Sequence, residues 1–347
     1  MKLSEFKYKL PKNLIAKFPV DPRNHSRLMV VDRETGEMKN KKFTDIMGMF
    51  QKGDCLVLNE TKVMPAKIYG VKEKTSAKIE VLLLRELKAE EKLWEVIVEP
   101  ARKVRIGNKV FFDGTKFFCE VIDNTTSRGR TARFTYEGDI YRLMSKMGQM
   151  PLPDYIERDS EEFDKRSYQT EFANDDKAAS IAPPSAGLHF TAEMIDELEE
   201  KGVKIVRINL NIVQSVFDKI EVEDFTKHTM FHEYFEISMS AAETINKALK
   251  TKRNVYSVGC SVARALESSV LTTGQIKPNR GWADKFIYPS YDFKIVTRLL
   301  TNLHPPASAP LLLISAFADK DLILKAYKKA IKDEYRFLAY GDAMLII

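Results

Sequence analysis

The stretch Ser180-Ile-Ala-Pro-Pro-Ser-Ala-Gly-Leu-His-Phe-Thr191 carries the first side chain with obvious chemical use, His189. Two prolines and a glycine mark the segment as a rigid loop. Thr191 is the expected N-cap of a following helix, with Glu193 in its first turn. An imidazole at the mouth of a helix, beside outward-pointing N–H groups, suits proton transfer or ligand binding. The other reading is a ring that only ties its own loop together. A second loop, Thr301-Asn-Leu-His304-Pro-Pro306, sets a histidine between an amide and prolines. A third, Tyr335-Arg-Phe-Leu-Ala-Tyr-Gly-Asp342, mixes rings with Arg and Asp. Rings of this kind stack on a nucleobase while polar groups read its edge, or serve simply as core and surface.

Gly259-Cys-Ser261 lies between a strand and a helix, where glycine allows close approach of backbone to a ligand. On that helix Arg264 and Glu267 are three apart, a spacing that lets them pair. His228, His232 and Glu233 have the spacing of metal ligands on a helix, but the neighbouring Thr226 and aromatic residues argue against a helix there. Neither G-x-G-x-x-G nor G-x-x-x-x-G-K-[ST] occurs, so a dinucleotide fold or a P-loop has no support. Nor does G-x-S-x-G, and Ser185 with His189 is weak ground for a serine hydrolase.

These loops need a scaffold. The chain has 347 residues, 44% hydrophobic and 30% charged, which suits a soluble protein of two domains. No apolar run is long enough for a membrane span, and the N-terminus lacks the apolar core of a signal peptide. Three scattered cysteines, Cys55, Cys119 and Cys260, fit reduced thiols in the cytoplasm. The net charge of +6 permits a polyanionic partner without requiring one.

Short strand-like runs between Ala66 and Gly148, spaced by turn residues, predict a small antiparallel β-barrel inserted at 66–148. Its turns carry Arg102, Lys103, Arg105, Arg128, Arg130 and Arg133, which suit RNA phosphates or plain solvation. Residues 1–65 and 149–347 alternate strand and helix patterns, the reading of an α/β domain with a mixed sheet. Its strands include Arg27-Leu-Met-Val-Val-Asp32, Cys55-Leu-Val-Leu58, Val206 to Ile212 and Asn254 to Val258. Helices are expected from Thr191 to Lys201, from a capping box at Ser240-Ala-Ala-Glu243, from Val262 to Val270 and over Asp321 to Ile331.

Taken together the stretches resemble one family, the S-adenosylmethionine:tRNA ribosyltransferase-isomerases of queuosine biosynthesis. The likeness rests on Asn59-Glu-Thr-Lys-Val-Met-Pro-Ala-Lys-Ile-Tyr-Gly70, Met150-Pro-Leu-Pro-Asp-Tyr-Ile156 and Tyr168-Gln-Thr170. It extends through the Ala182–Thr191 loop, Gly281-Trp282, Phe286-Ile-Tyr-Pro-Ser-Tyr291, Thr301-Asn-Leu-His304, Ser315-Ala-Phe317 and Tyr335 to Met344. The resemblance implies an α/β domain with an inserted barrel. It implies transfer of the ribosyl group of S-adenosylmethionine onto a 7-aminomethyl-7-deazaguanine at the tRNA wobble position. The ribose is isomerised to give epoxyqueuosine, and adenine and methionine leave. S-adenosylmethionine is then a consumed donor, with no other cofactor and no metal, and the partner is the tRNA; a cytoplasmic monomer is expected.

That chemistry needs a base near the carbon beside the sulfonium and a donor for the departing adenine. His189 and His304 are the acid–base candidates, with Arg264 and Glu267 beside them. Ser185, Gly187, Phe190, Asn211, Gly259, Asp284, Asn302 and Asp342 are expected around the substrates, and Tyr291 and Tyr340 are expected to stack on bases. The expectation is that the turns carrying His189, Arg264 and His304 converge on one cavity. Departures from the family pattern fall on the same loops. The family's Leu-His-x-Gly-Leu-Gly-x-Phe strand reads Leu210-Asn-Ile-Val-Gln-Ser-Val-Phe217, its Gly-Thr-Thr turn reads Gly259-Cys-Ser261, and its Asn-Phe-His-Leu-Pro loop reads Asn302-Leu-His-Pro-Pro306. Ala309-Pro310 replaces Thr-Leu beyond that loop. They leave a non-catalytic relative that binds tRNA or a nucleoside as the alternative. If Val213 fills space that a glycine would leave open, Val213→Gly raises activity.

Overall fold

The computed structural model describes residues 1–126, 128–213 and 220–347. Among the described residues, nine strands form one mixed sheet in the order Asn279–Ala283, Glu233–Ile237, Lys204–Leu210, Cys55–Asn59, Val255–Val258, Arg298–Asn302, Ala343–Ile346, Arg27–Val31 and Met38–Lys42. The four strands from Lys204–Leu210 to Arg298–Asn302 are parallel, so their carboxyl ends share one edge. Cys55 and Val57 point into one core, Leu56 and Leu58 into the other. Burial on both faces explains why this strand reads as an unbroken apolar run. Each such valine or leucine contributes about 1.5–3 kcal/mol when fully buried.

Helices Met239–Lys250, Cys260–Ser268, Ala309–Ala318 and Lys320–Lys332 cover the first face, and Ala192–Glu200 covers the second. Thr191 caps Ala192–Glu200 by accepting from the Met194 N–H, as its position in the sequence predicts. Two helix starts differ from expectation. Ser238, not Ser240, caps Met239–Lys250 through the Ala241 N–H, because Ser240 already lies in the first turn. The helix after Gly259 begins at once, at Cys260.

The six remaining long strands, Lys67–Lys72, Lys78–Lys88, Leu93–Glu99, Lys109–Asp113, Phe117–Asn124 and Gly129–Thr135, close into an antiparallel barrel. Closure removes the exposed strand edges that a flat sheet would leave. Trp94, Phe117, Phe134 and a set of valines fill its interior. Gly70 is required where the chain turns inward, since a Cβ there would lie 2.6 Å from the Phe111 carbonyl oxygen. Arg130, expected among the RNA-facing turn residues, is buried instead and donates to the carbonyls of Ala101, Val104 and Gly129. It pins the barrel turn. Arg128 and Arg133 stay exposed, facing Glu99 and Glu91.

The barrel joins the sheet unit where the chain enters and leaves it. Lys67 and Gln149 exchange backbone hydrogen bonds of 3.2 and 2.7 Å, so the outgoing and returning chains lie side by side. Ile181 and Val213 reach from the sheet unit into the barrel core. Gly148 sits at this junction, and a Cβ there would come within 2.0 Å of the Pro65 carbonyl oxygen and 2.6 Å of that of Met144. Both are backbone atoms and cannot swing aside. Gly148→Ala is therefore expected to destabilise the protein by about 3 kcal/mol, read as a lowered urea midpoint; an unchanged midpoint would show that the junction is loose.

Candidate active site

At the carboxyl ends of the parallel strands lies a cavity of about 890 Å³. Ligands bind at this end of open α/β sheets because the chain departs there and leaves backbone groups free to meet them. The volume suits a nucleoside-sized molecule. Five of the expected residues line it: Ser185, Gly259, Arg264, Asn302 and His304.

Gly259 forms the turn out of Val255–Val258 at φ +96°, a conformation that other residues reach only with strain. The helix Cys260–Ser268 that follows has no side-chain cap, and Gly259, Cys260 and Ser261 all line the cavity. Its first N–H groups and positive dipole end therefore face the space.

His304 follows the strand Arg298–Asn302. Its backbone is gripped by two tyrosines: the Tyr327 hydroxyl accepts from the His304 N–H at 2.9 Å, and the Tyr8 hydroxyl donates to the His304 carbonyl. Nε2 lies 2.6 Å from Thr301 Oγ1 and 3.4 Å from Cys260 Sγ. Among the described residues Nδ1 meets no hydrogen-bond partner. Burial pushes the ring down to about 3, so it is neutral at physiological pH. Burial also pushes the Cys260 thiol up to about 12, which keeps it protonated.

Arg264 does not pair with Glu267. Its partner is Glu233, at 2.6 Å in a pair almost wholly out of solvent. The guanidinium also donates to the carbonyls of Phe231, Ala283 and Lys285. It thus anchors two chain segments at the cavity wall, with little left to offer a ligand. Glu267 accepts from the N–H groups of Lys294, Ile295 and Val296 and from the Tyr291 hydroxyl. Neither Glu267 nor Tyr291 lines the cavity, and the Tyr291 ring packs on the edge of Phe293. Glu233 begins a strand, so it shares no helical face with His228, whose ring packs on Phe286.

His189 does not reach the cavity either; it lies one hydrogen bond behind it. Asn302 Nδ2 donates to the carbonyls of Leu338 and Ala339, which fixes its Oδ1 as acceptor toward His189 Nε2 at 3.0 Å. Nε2 then carries the proton, and Nδ1 accepts from Ser26 Oγ at 2.8 Å. Both nitrogens of this neutral ring are committed, and burial pushes it down to about 4. The convergence expected of three turns holds for those of Arg264 and His304. The third lines the cavity with Ala182, Pro183, Pro184, Ser185 and Ala186, while its His189 meets the cavity only through Asn302.

The other expected residues do not line the cavity. Gly187 is packed against Phe172, and Phe190 is fully buried against Phe43. Asp342 accepts from the backbone of Arg27 and from Arg336. Tyr340 donates to Asp164 and lines a second recess with His189. Asn211 accepts from Asn209, and Asp284 is exposed. Sequence reasoning missed Glu233 as the partner of Arg264, because a contact across 31 positions leaves no local spacing signal. Val213 packs with the barrel core and does not line the cavity, where Ile212 and Ile220 stand instead. Ser215 lies outside the described residues.

A family profile described as "Queuosine biosynthesis protein" matches residues 3–346. The chain belongs to this family. It is 52% identical over 349 residues to the S-adenosylmethionine:tRNA ribosyltransferase-isomerase of Chloroherpeton thalassium, with all of both chains covered. The protein of the same name from Cytophaga hutchinsonii is 49% identical, again with full coverage of both. A crystal structure of the S-adenosylmethionine tRNA ribosyltransferase of Thermotoga maritima is 30% identical and superposes with a TM-score of 0.55, covering 99% of this chain and 100% of that one. Nothing in these comparisons supports the non-catalytic alternative. Among the described residues, no helix is long and apolar enough to cross a membrane.

Two outcomes follow from the geometry. Val213→Gly is expected to lower stability by about 2 kcal/mol by opening the barrel interface and not to raise adenine release; faster release would place that side chain in the substrate's way. Both histidines bind protons less readily folded than unfolded. Their stabilisation is therefore complete above the ordinary imidazole value of 6.5 and is lost as pH falls toward 4 for His189 and toward 3 for His304. Each contributes a slope of about 1.4 kcal/mol per pH unit in that window. His189→Gln and His304→Gln should each flatten urea stability between pH 6.5 and 5; an unchanged slope would mean that the ring titrates normally.

Proposed function

We propose that this protein transfers and isomerises the ribosyl group of S-adenosylmethionine onto a 7-aminomethyl-7-deazaguanine at the wobble position of tRNA. The product is epoxyqueuosine in the tRNA, with adenine and methionine released. The observation that carries the reading is the cavity of about 890 Å³ at the parallel strand ends. It lies in a chain 52% identical, end to end, to a ribosyltransferase-isomerase.

The donor is a cation with a carboxylate at one end and an adenosyl group at the other. The uncapped start of Cys260–Ser268 offers N–H donors and a positive dipole end, a fit for the carboxylate. His304 is the cavity's neutral imidazole, so one ring nitrogen carries no proton and can accept one. That matches a reaction in which the carbon beside the sulfonium loses a proton, adenine takes up a proton as its glycosidic bond breaks, the amine nitrogen loses a proton as it bonds to the ribosyl carbon, and methionine leaves as the sulfonium bond breaks. Arg264 and Glu233 hold the wall, and His189 holds Asn302; these are positioning roles. S-adenosylmethionine serves as the consumed donor, without a further cofactor, and the enzyme works as a monomer in the cytoplasm.

The direct test is incubation with S-adenosylmethionine and tRNA bearing the aminomethyl-deazaguanine, with adenine followed by chromatography. Release of one adenine per modified tRNA is expected. His304→Ala should slow it by about 10²- to 10⁴-fold with little change in the urea midpoint. No release from the wild-type protein at high enzyme concentration would overturn the reading, and full activity in the variant would remove His304 from the chemistry.

A further inference from the structure

A second recess, of about 500 Å³, lies behind the donor cavity and is separated from it by Ala339, which lines both, and by the His189–Asn302 hydrogen bond. Its floor is His189 and Tyr340, and Arg23, Arg166, Arg336 and Asp21 stand around it. Arg23 is held by Glu171 and Arg336 by Asp342. Arg166 is exposed and has no ion-pair partner among the described residues. Two large apolar side chains rim the opening in full view of solvent: Phe18, 53% exposed, and Phe163, 39% exposed. Their rings stack at 6.2 Å, and the Arg158 guanidinium lies over both, at 4.5 and 5.0 Å. Asp164 fixes that guanidinium with two hydrogen bonds of 2.7 and 2.8 Å.

Exposed rings around an immobilised guanidinium form a stacking platform, and a free arginine beside it is placed to meet a phosphate. The recess is sized for one small ring system and not for a peptide helix. On the reading above, the acceptor is a single nucleotide joined on both sides to an RNA chain. Its neighbours must therefore lie close to the donor cavity, and this recess adjoins it. We infer that the Phe18–Phe163–Arg166 recess binds an unpaired anticodon-loop nucleotide flanking the modified one, with its base on the rings and its phosphate at Arg166. The inference rests on the proposed function for its partner, and it is testable without turnover.

The test is binding of an unmodified anticodon stem-loop RNA by fluorescence anisotropy at several salt concentrations, with the Michaelis constant for S-adenosylmethionine measured in parallel. The double variant Phe18→Ala/Phe163→Ala should lose about tenfold or more in RNA affinity. Arg166→Gln should weaken binding several-fold and reduce the salt slope by about 0.7 to 0.9. Phe18→Tyr/Phe163→Tyr keeps the rings and should bind like wild type. The constant for S-adenosylmethionine should not move. Loss of RNA affinity in the alanine and glutamine variants supports the site even in a preparation that releases no adenine. RNA affinities within twofold of wild type, an unchanged salt slope, or a raised constant for S-adenosylmethionine would overturn it.

Discussion

The Asn302 side chain is the constraint on which the site depends. Its amide nitrogen donates to the carbonyls of Leu338 and Ala339, and its oxygen accepts from His189. One side chain at the end of Arg298–Asn302 thus ties together three loops more than a hundred residues apart at their extremes. Ser26 adds a fourth segment through His189 Nδ1. A buried amide with both ends engaged is held in one orientation, since a flip would set its oxygen against the two carbonyl oxygens. The loops are therefore held in register by hydrogen-bond chemistry as well as by packing.

Around this centre, most formal charge is spent on holding backbone. Glu267 satisfies three N–H groups of the segment before Arg298–Asn302, Asp342 ties Arg27 to Arg336, and Arg264 closes on three carbonyls and Glu233. A buried ion with all its partners present is tolerated, whereas one left alone is costly. What remains toward the cavity from the central turns is a helix start and the neutral ring of His304 beside a protonated thiol. Such a surface suits a cationic donor that carries its own carboxylate, because no fixed charge of the turn competes with either end.

Much of this was legible in the sequence. Apolar runs such as Cys55-Leu-Val-Leu58 and the Thr191 cap revealed sheet and helix, and the barrel's short strands showed as evenly spaced runs. Outer strands were harder. Met38–Lys42 is a polar edge strand with almost no buried face, and Asn279–Ala283 is recognisable only beside Glu233–Ile237. The site was read as loops and not as contacts. Residue types picked out His304, Gly259, Arg264, Asn302 and Ser185, which share the cavity. They gave no sign that His189 would be used from both nitrogens, or that Glu233 would replace Glu267 at Arg264, since these depend on partners brought together only by the fold.

The donor is expected in the space between the Gly259–Ser261 turn and His304. A crystal structure with S-adenosylmethionine bound tests it most directly. The methionine carboxylate is expected at the start of Cys260–Ser268 and the ribose within reach of the His304 ring. Density for the donor in the recess beside Tyr340 and His189, with the larger cavity empty, would contradict it.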